Sequence, residues 1–227
     1  MQFITFGCWN APHVESPQVI NTLRSLENYL SIESNRENTL FIAVLGDNYY
    51  PPKDKSKDKL KDKPTDEAEK KPKDKVKPID VEAIHSAFMK LLEVAGTIPV
   101  FVIYGNHDLE DNKVTCVQLR EQQTFSSPTN HFYNNLMFYE TDNDLFIFID
   151  TTIYSYPKED IIPEENCYKY LDIYNSVLTS KGIDKTQISY GDIRDYQEEA
   201  IINVINTRDS EKRKIVKNIW SRTNSKL

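Results

Sequence analysis

The chain has 227 residues, of which 39% are hydrophobic, so it is long enough to bury a core without disulfides or structural metals. A formal net charge of −7 argues against a general nucleic-acid binder. No apolar stretch approaches the roughly 20 residues of a membrane-spanning helix, and the first residues do not resemble a signal peptide. Because its three cysteines are widely spaced, we expect a protein of the reducing cytoplasm. From its charge and the lack of a long apolar stretch, we expect it to bind neither nucleic acid nor membrane.

Apolar patterns predict strands and helices that alternate along the chain. Strands are predicted at residues 3–6, 40–45, 99–104 and 144–150, and a fifth begins at 214–216. Helices are predicted from Pro17 onward, with Ser16 as the N-cap, and around residues 81–95 and 193–205. The chain is therefore expected to have an α/β fold in which helices separate the strands of a sheet.

A segment rich in lysine and aspartate interrupts this pattern at residues 53–78. It contains 11 Lys, 5 Asp and 2 Glu, and its apolar residues are Leu60, Ala68 and Val76. Such a segment cannot bury enough apolar surface to offset the entropy lost on ordering. We predict a disordered insert, which is either a solvated loop expansion or a docking segment for an acidic partner.

Small polar clusters follow three of the predicted strands. They read Gly-Cys-Trp-Asn at residues 7–10, Gly-Asp-Asn-Tyr-Tyr-Pro at 46–51 and Gly-Asn-His-Asp at 105–108. Ligands bind at the carboxyl ends of the strands in open α/β sheets, and a glycine at each turn lets the next side chain enter a shared cleft. Carboxylate and amide oxygens gathered there suit a metal ion that acts on phosphate.

The second and third clusters resemble the GDNxY and GNHD motifs of calcineurin-like metallophosphoesterases. The tyrosine three residues after the aspartate makes the purple acid phosphatase-like branch the closest resemblance. The resemblance covers residues 2–216 and implies a β-sandwich flanked by helices. It also implies hydrolysis of phosphomonoesters at a site that holds two metal ions, which are Fe, Zn or Mn; the oligomeric state stays open.

The resemblance implies the metal ligands residue by residue. Asp47 would bridge two metals, Asn106 would bind the second through its amide oxygen, and Tyr50 would be a tyrosinate ligand. The family begins with an aspartate ligand where this chain has Cys8, although Trp9 matches the family's GDWG form. A thiolate can bind zinc or iron but does not share a hard site as a carboxylate does, so Cys8 is either a ligand or a bystander.

Other residues would support the chemistry without binding metal. By the same resemblance, His107 would stabilise or protonate the leaving oxygen, Asp108 would orient His107, and Asn48 would lie beside the ligands. The remaining histidines are expected to be structural or exposed, with His85 in a helix and His13 and His131 in loops. Cys116 and Cys167 are expected to be incidental thiols rather than nucleophiles.

The histidines that the family places after GNHD have no counterpart here, since His131 is the one histidine that follows His107 in the sequence. Residues 217–227 also depart from the family pattern. A frameshift of one nucleotide near Lys217 would restore a Gly-His-Glu-Pro-Ile reading. We therefore expect a truncated chain whose second sheet is incomplete and whose activity is impaired or absent.

Three hypotheses about function remain open. The chain is an impaired metallophosphatase, a non-catalytic binding module that keeps the half-site fold, or an enzyme whose site a partner chain completes. Metal content and turnover of p-nitrophenyl phosphate distinguish the three.

Overall fold

The computed structural model describes residues 1–9, 11, 15–48, 81–106, 108–109, 126–132, 136–164, 166–207 and 216–218. Its strands are β1 (Gln2–Phe6), β2 (Thr39–Leu45), β3 (Val100–Ile103), β4 (His131–Phe132), β5 (Leu136–Glu140), β6 (Leu145–Ile149) and β7 (Val216–Asn218). Its α-helices are α1 (Pro17–Leu30), α2 (Glu33–Asn38), α3 (Val81–Ala95), α4 (Asp172–Lys181) and α5 (Tyr190–Thr207). The predicted insert and residues 219–227 of the predicted tail lie outside this part of the chain.

The four strands β1, β2, β3 and β4 form a parallel sheet in that order. The central strand β2 alternates the side chains it sends to the two faces. Ile42 and Val44 face the helices, whereas Phe41 and Ala43 face the opposite side. Both faces are buried, which is why β2 reads as one continuous apolar run in the sequence.

The strands β5, β6 and β7 form a second sheet that packs on one face of the parallel sheet. β6 pairs with β5 antiparallel and with β7 parallel. Aromatic rings fill the contact between the sheets: the Phe41 and Phe146 ring centroids are 4.8 Å apart, and Phe101 stacks on Phe148 at 4.7 Å. The predicted α/β class is confirmed, and a small second sheet accompanies the parallel one.

The helices α1 and α3 cover the other face of the parallel sheet. The Ser16 side chain caps α1 by accepting a hydrogen bond of 3.3 Å from the backbone N–H of Val19, and Pro17 occupies the first helical position, as predicted. α1 buries Val19, Leu23, Leu26 and Leu30, and α3 buries Ala87, Phe88, Leu91 and Ala95. None of the helices that the structure describes combines the length and apolar character needed to cross a membrane.

Residues 150–207 extend the same helical layer. Two short 3₁₀ helices (Thr152–Ser155 and Cys167–Tyr170) and the helices α4 and α5 join the core that α1 and α3 form on the sheet. The guanidinium of Arg194 is buried and donates hydrogen bonds to the carbonyls of Ile153 and Tyr156. Ile153 belongs to the short 3₁₀ helix Thr152–Ser155, and Tyr156 directly follows it. Arg194 therefore donates to carbonyl groups at a helix end, where backbone acceptors often lack a partner within the helix.

Two expectations for single residues prove wrong. Cys167 is fully buried and disulfide-bonded, so it is not an incidental thiol. His131 is the first residue of β4 rather than part of a loop. Its ring stacks on Phe101 with centroids 5.2 Å apart, and burial lowers the pKa of the imidazole. His85 lies on α3 and is exposed, as expected.

Candidate functional site

The ends of β1, β2 and β3 meet at one edge of the parallel sheet. Phe6 pairs with Val44, and Leu45 pairs with Ile103, so the residues that follow all three strands emerge side by side. This is the edge at which ligands bind in α/β sheets. The described residues of the three polar clusters therefore lie at one edge, while a shared site that includes Tyr50 and His107 stays a prediction.

Cys8 and Asp47 are brought into contact at this edge. The Cys8 Sγ donates to Asp47 Oδ2 across 3.5 Å, and the backbone N–H of Cys8 donates to the Gly46 carbonyl across 3.1 Å. Cys8 is exposed, whereas the side chain of Asp47 is largely covered. A thiol and a carboxylate from two different strands thus face the same small volume.

Both of these residues have a left-handed backbone conformation. Cys8 has a φ of 54° and Asp47 a φ of 52°, and they are the two non-glycine residues with positive φ in the part of the chain described. Aspartate occupies this region more readily than most residues, whereas for a cysteine it costs of order 1–3 kcal/mol, which the surroundings must offset. Uncommon conformations of this kind concentrate at functional sites, and here both occur at one strand edge.

Two glycines allow β2 and β3 to approach closely at the site. A Cβ on Gly105 would lie 2.1 Å from the backbone nitrogen of Asp47 and 2.2 Å from its Oδ1. A Cβ on Gly46, whose φ is 75°, would lie 2.6 Å from the Gly105 Cα. Both positions therefore require glycine, because any side chain would push the two strand ends apart.

A buried hydrogen-bond network holds these loops in place. The Asp108 Oδ2 accepts hydrogen bonds from the backbone N–H of Asn48 (3.2 Å), the Asn48 Nδ2 (3.0 Å) and the backbone N–H of Gly105 (2.9 Å). Asn48 also donates from Nδ2 to the Ile103 carbonyl across 3.0 Å. Asp108 and Asn48 thus fix the ends of β2 and β3 relative to each other.

Trp9 extends the network to the end of β1, a role that the sequence did not predict. Its Nε1 donates to the Asn48 Oδ1 across 3.0 Å, and its ring packs edge-on against Phe88 with centroids 5.3 Å apart. The side chain is buried, so its one polar group needs an internal acceptor. The apolar part of the ring anchors the loop to α3 while the N–H binds Asn48.

Asn106 carries the clearest sign of a ligand position. Its Oδ1 is buried and finds no hydrogen-bond partner among the described residues. An unpaired buried amide oxygen costs about 1–3 kcal/mol. A cation would remove that cost, so the amide of Asn106 fits the metal-ligand role that the resemblance implies.

Other predicted site residues cannot be compared with this geometry. Tyr50 and His107 lie outside the described residues, as do Cys116 and His13. The predicted orientation of His107 by Asp108 stays a prediction for that reason. Within the described ranges no group of three or more His, Cys, Asp and Glu side chains is arranged to hold a metal, so the two predicted ions remain a prediction.

A second buried polar cluster, which the sequence did not predict, follows β6. Asp150 accepts hydrogen bonds from the Tyr168 Oη (2.6 Å) and the backbone N–H of Thr152 (2.8 Å). Burial, followed by the nearby Asp150 charge and this hydrogen bond, raises the pKa of Tyr168 well above its usual range. The phenol therefore stays protonated and serves as a permanent donor. The sequence signal for this cluster was an aspartate, Asp150, that directly follows the apolar run of β6.

No family model matches the chain, and no curated protein sequence matches it. The functional proposal below therefore uses the geometry of the strand edge, together with the motifs of the sequence.

Proposed function

We propose that the chain is a metal-dependent phosphoesterase of impaired activity, which hydrolyses phosphomonoesters where β1, β2 and β3 end. The observation that carries the proposal is the contact between the Cys8 thiol and the Asp47 carboxylate, 3.5 Å apart on neighbouring strand ends. The partnerless amide oxygen of Asn106 follows Gly105, which itself lies against Asp47. Carboxylate and amide oxygens are donors that suit Mn, and a thiolate is a donor that suits Zn or Fe.

The proposed mechanism assigns each residue a separate task. Bound metal ions would supply positive charge to the phosphate and a nucleophilic water at neutral pH. Asp47 would hold its carboxylate at the centre of the edge, with Asn106 and Tyr50 as further oxygen donors. His107 would stabilise the leaving oxygen or give it a proton, in the role that the motif resemblance implies.

The supporting network suits such a site because it leaves the proposed ligands in fixed positions. Asn48 and Asp108 are fully buried and bonded to each other, so the two loops need little reorganisation when a ligand binds. The left-handed backbone at Asp47 is held by the close approach of Gly105. Preorganisation of this kind would reduce the cost of holding a ligand at the edge.

The first test is turnover of p-nitrophenyl phosphate by the full chain, depleted of metal with a chelator and reloaded with Zn²⁺, Mn²⁺ or Fe²⁺. We expect Asp47→Asn to reduce turnover by roughly two orders of magnitude, as the loss of one group that stabilises developing charge does. Asp142→Asn, at an exposed position in the turn between β5 and β6, is the matched control and should leave turnover unchanged.

Two results would count against the proposal. One is hydrolysis that neither the chelator nor Asp47→Asn affects. The other is stoichiometric metal without turnover, which would favour the alternative of a non-catalytic binding module.

A further inference from the structure

We propose that Cys8 and Asp47 bind one cation together, and that the thiolate makes this site prefer Zn²⁺ over Mn²⁺. The inference rests on the proposed function, because it concerns the metal of the same site. It goes further by assigning the metal preference to one residue, at the position where the resembling family has an aspartate.

The separation of the two side chains fits a tetrahedral zinc ion. Zinc lies about 2.3 Å from a thiolate sulfur and about 2.1 Å from a carboxylate oxygen, so two such donors at the tetrahedral angle are about 3.6 Å apart. The observed distance from Cys8 Sγ to Asp47 Oδ2 is 3.5 Å. The two donors therefore need little movement to hold a tetrahedral ion between them.

The position of Cys8 is set by its surroundings rather than by its own side chain. Its backbone N–H donates to the Gly46 carbonyl, and its own carbonyl accepts a hydrogen bond from the Gln18 Nε2 of α1. The left-handed φ of 54° is therefore held from both sides. A neighbouring strand and a helix thus keep the thiol at the edge where Asp47 emerges.

An independent observation points to a cation at this edge. The buried Oδ1 of Asn106 has no hydrogen-bond partner among the described residues, and its chain neighbour Gly105 contacts Asp47. In the proposed site this amide oxygen would be a third donor to the cation that Cys8 and Asp47 bind. A thiolate, a carboxylate and an amide oxygen form a mixed set, which suits borderline zinc better than a hard, octahedral ion.

Two substitutions separate the contribution of the sulfur from that of the fold. Cys8→Ser removes the thiolate and keeps a small polar side chain. Cys8→Asp supplies a hard carboxylate, and aspartate tolerates positive φ better than most residues, so the turn should form. Both variants leave Asp47, Asn106 and the Trp9 anchor unchanged.

The experiment uses the full chain after chelator treatment, with Co²⁺ as a spectroscopic substitute for Zn²⁺. We expect the wild-type chain to show a near-ultraviolet charge-transfer band from sulfur to cobalt, and both variants to lack it. We also expect Zn²⁺ to protect Cys8 from alkylation. In competition with Mn²⁺, the preference for Zn²⁺ should fall by about tenfold or more in Cys8→Asp.

The outcomes distinguish this inference from the proposed function. If Co²⁺ binds without the band, or the band survives in Cys8→Ser, the inference is overturned, while the effect of Asp47→Asn on turnover still decides the proposed function. An unchanged preference in Cys8→Asp overturns it equally. If the wild-type chain binds none of the ions Zn²⁺, Mn²⁺ and Fe²⁺, the inference and the proposed function both fail.

Discussion

Gly105 has no room for a side chain, because the backbone nitrogen and the carboxylate of Asp47 occupy the space that a Cβ would take. We expect Gly105→Ala to lower the free energy of unfolding by about 3 kcal/mol, since the strand ends must separate to admit the methyl group. Urea denaturation measures this change. The same variant should lose metal affinity, because Asp47 would move with the loop.

Gly182 provides the matched control for this prediction. It ends α4 with a φ of 62°, and an added Cβ would meet nothing within 4 Å. Gly182→Ala should therefore cost about 1–2 kcal/mol of backbone strain alone and leave metal affinity unchanged. Equal losses of metal affinity in the two variants would show that overlap with Asp47 is not the cause.

For single residues, the sequence predicts which ones come together at the strand edge, but not the contacts that hold them there. Glycines after apolar runs were enough to group Cys8 and Asp47, because parallel strands end at one edge. The anchoring role of Trp9 depends on a ring that reaches α3, and the unpaired oxygen of Asn106 depends on its detailed packing. Neither follows from spacing along the chain.

Among the secondary-structure elements, α5 begins with a reciprocal cap, and the contribution of this cap to stability can be tested. The backbone N–H and the hydroxyl of Ser189 both donate to Asp192 Oδ2, at 2.9 Å and 2.7 Å, while the N–H of Asp192 donates back to the Ser189 Oγ. Burial acts to raise the pKa of Asp192, but these bonds and Lys181 outweigh it, so the pKa lies below its usual value. The charged carboxylate therefore stabilises the folded state.

We expect Asp192→Asn to lower the free energy of unfolding by about 1 kcal/mol at pH 7. A depressed pKa contributes stability above the pKa of the unfolded chain, near 3.9, and that contribution is lost as pH falls through the folded value. The difference between wild type and variant should therefore fade below about pH 4. Urea denaturation across this range measures it.

Asp195→Asn is the control for the cap. Asp195 lies one turn further along α5 and pairs with Lys158 and Lys181 at a half-exposed position. Loss of such a pair changes stability by at most about 1 kcal/mol and usually less. A pH dependence as large as that of Asp192→Asn would show that general charge, rather than the cap, is responsible.

The helix α2, which the sequence did not predict, lacks an apolar period. The helix α2 buries no residue, and Arg36 fastens it by donating to the carbonyls of Leu30, Val94 and Ala95. By contrast, α1 has both a cap and an apolar stripe, and its predicted start was right. Contacts with distant carbonyls leave no pattern in the local sequence.

In the molecule as a whole, the parallel sheet separates two cores, and Phe41 lies at the centre of the one between the sheets. Its ring contacts Phe3, Phe101, Tyr139, Phe146 and Phe148. We expect Phe41→Ala to cost about 3–5 kcal/mol. Met89→Ala, at an exposed position on α3, should change stability by less than about 0.5 kcal/mol.

Fluorescence can show whether the two cores unfold together. Trp9 belongs to the core on the helical face, so in a Trp220→Phe background it reports on the side opposite to Phe41. If the sheet couples both cores, Phe41→Ala should shift the fluorescence transition and the far-ultraviolet dichroism transition equally. A fluorescence midpoint that stays at the wild-type denaturant concentration would contradict this coupling.

The side chains at the strand edge fall into two groups, and this separation has a consequence for substitutions at the proposed metal site. The side chains that hold the loops together, Trp9, Asn48 and Asp108, are not the ones proposed to bind the metal. A donor such as Cys8 can therefore be exchanged without dismantling the scaffold that presents it. Single substitutions at such a donor should therefore change the metal that the proposed site prefers, while the fold that positions it stays constant.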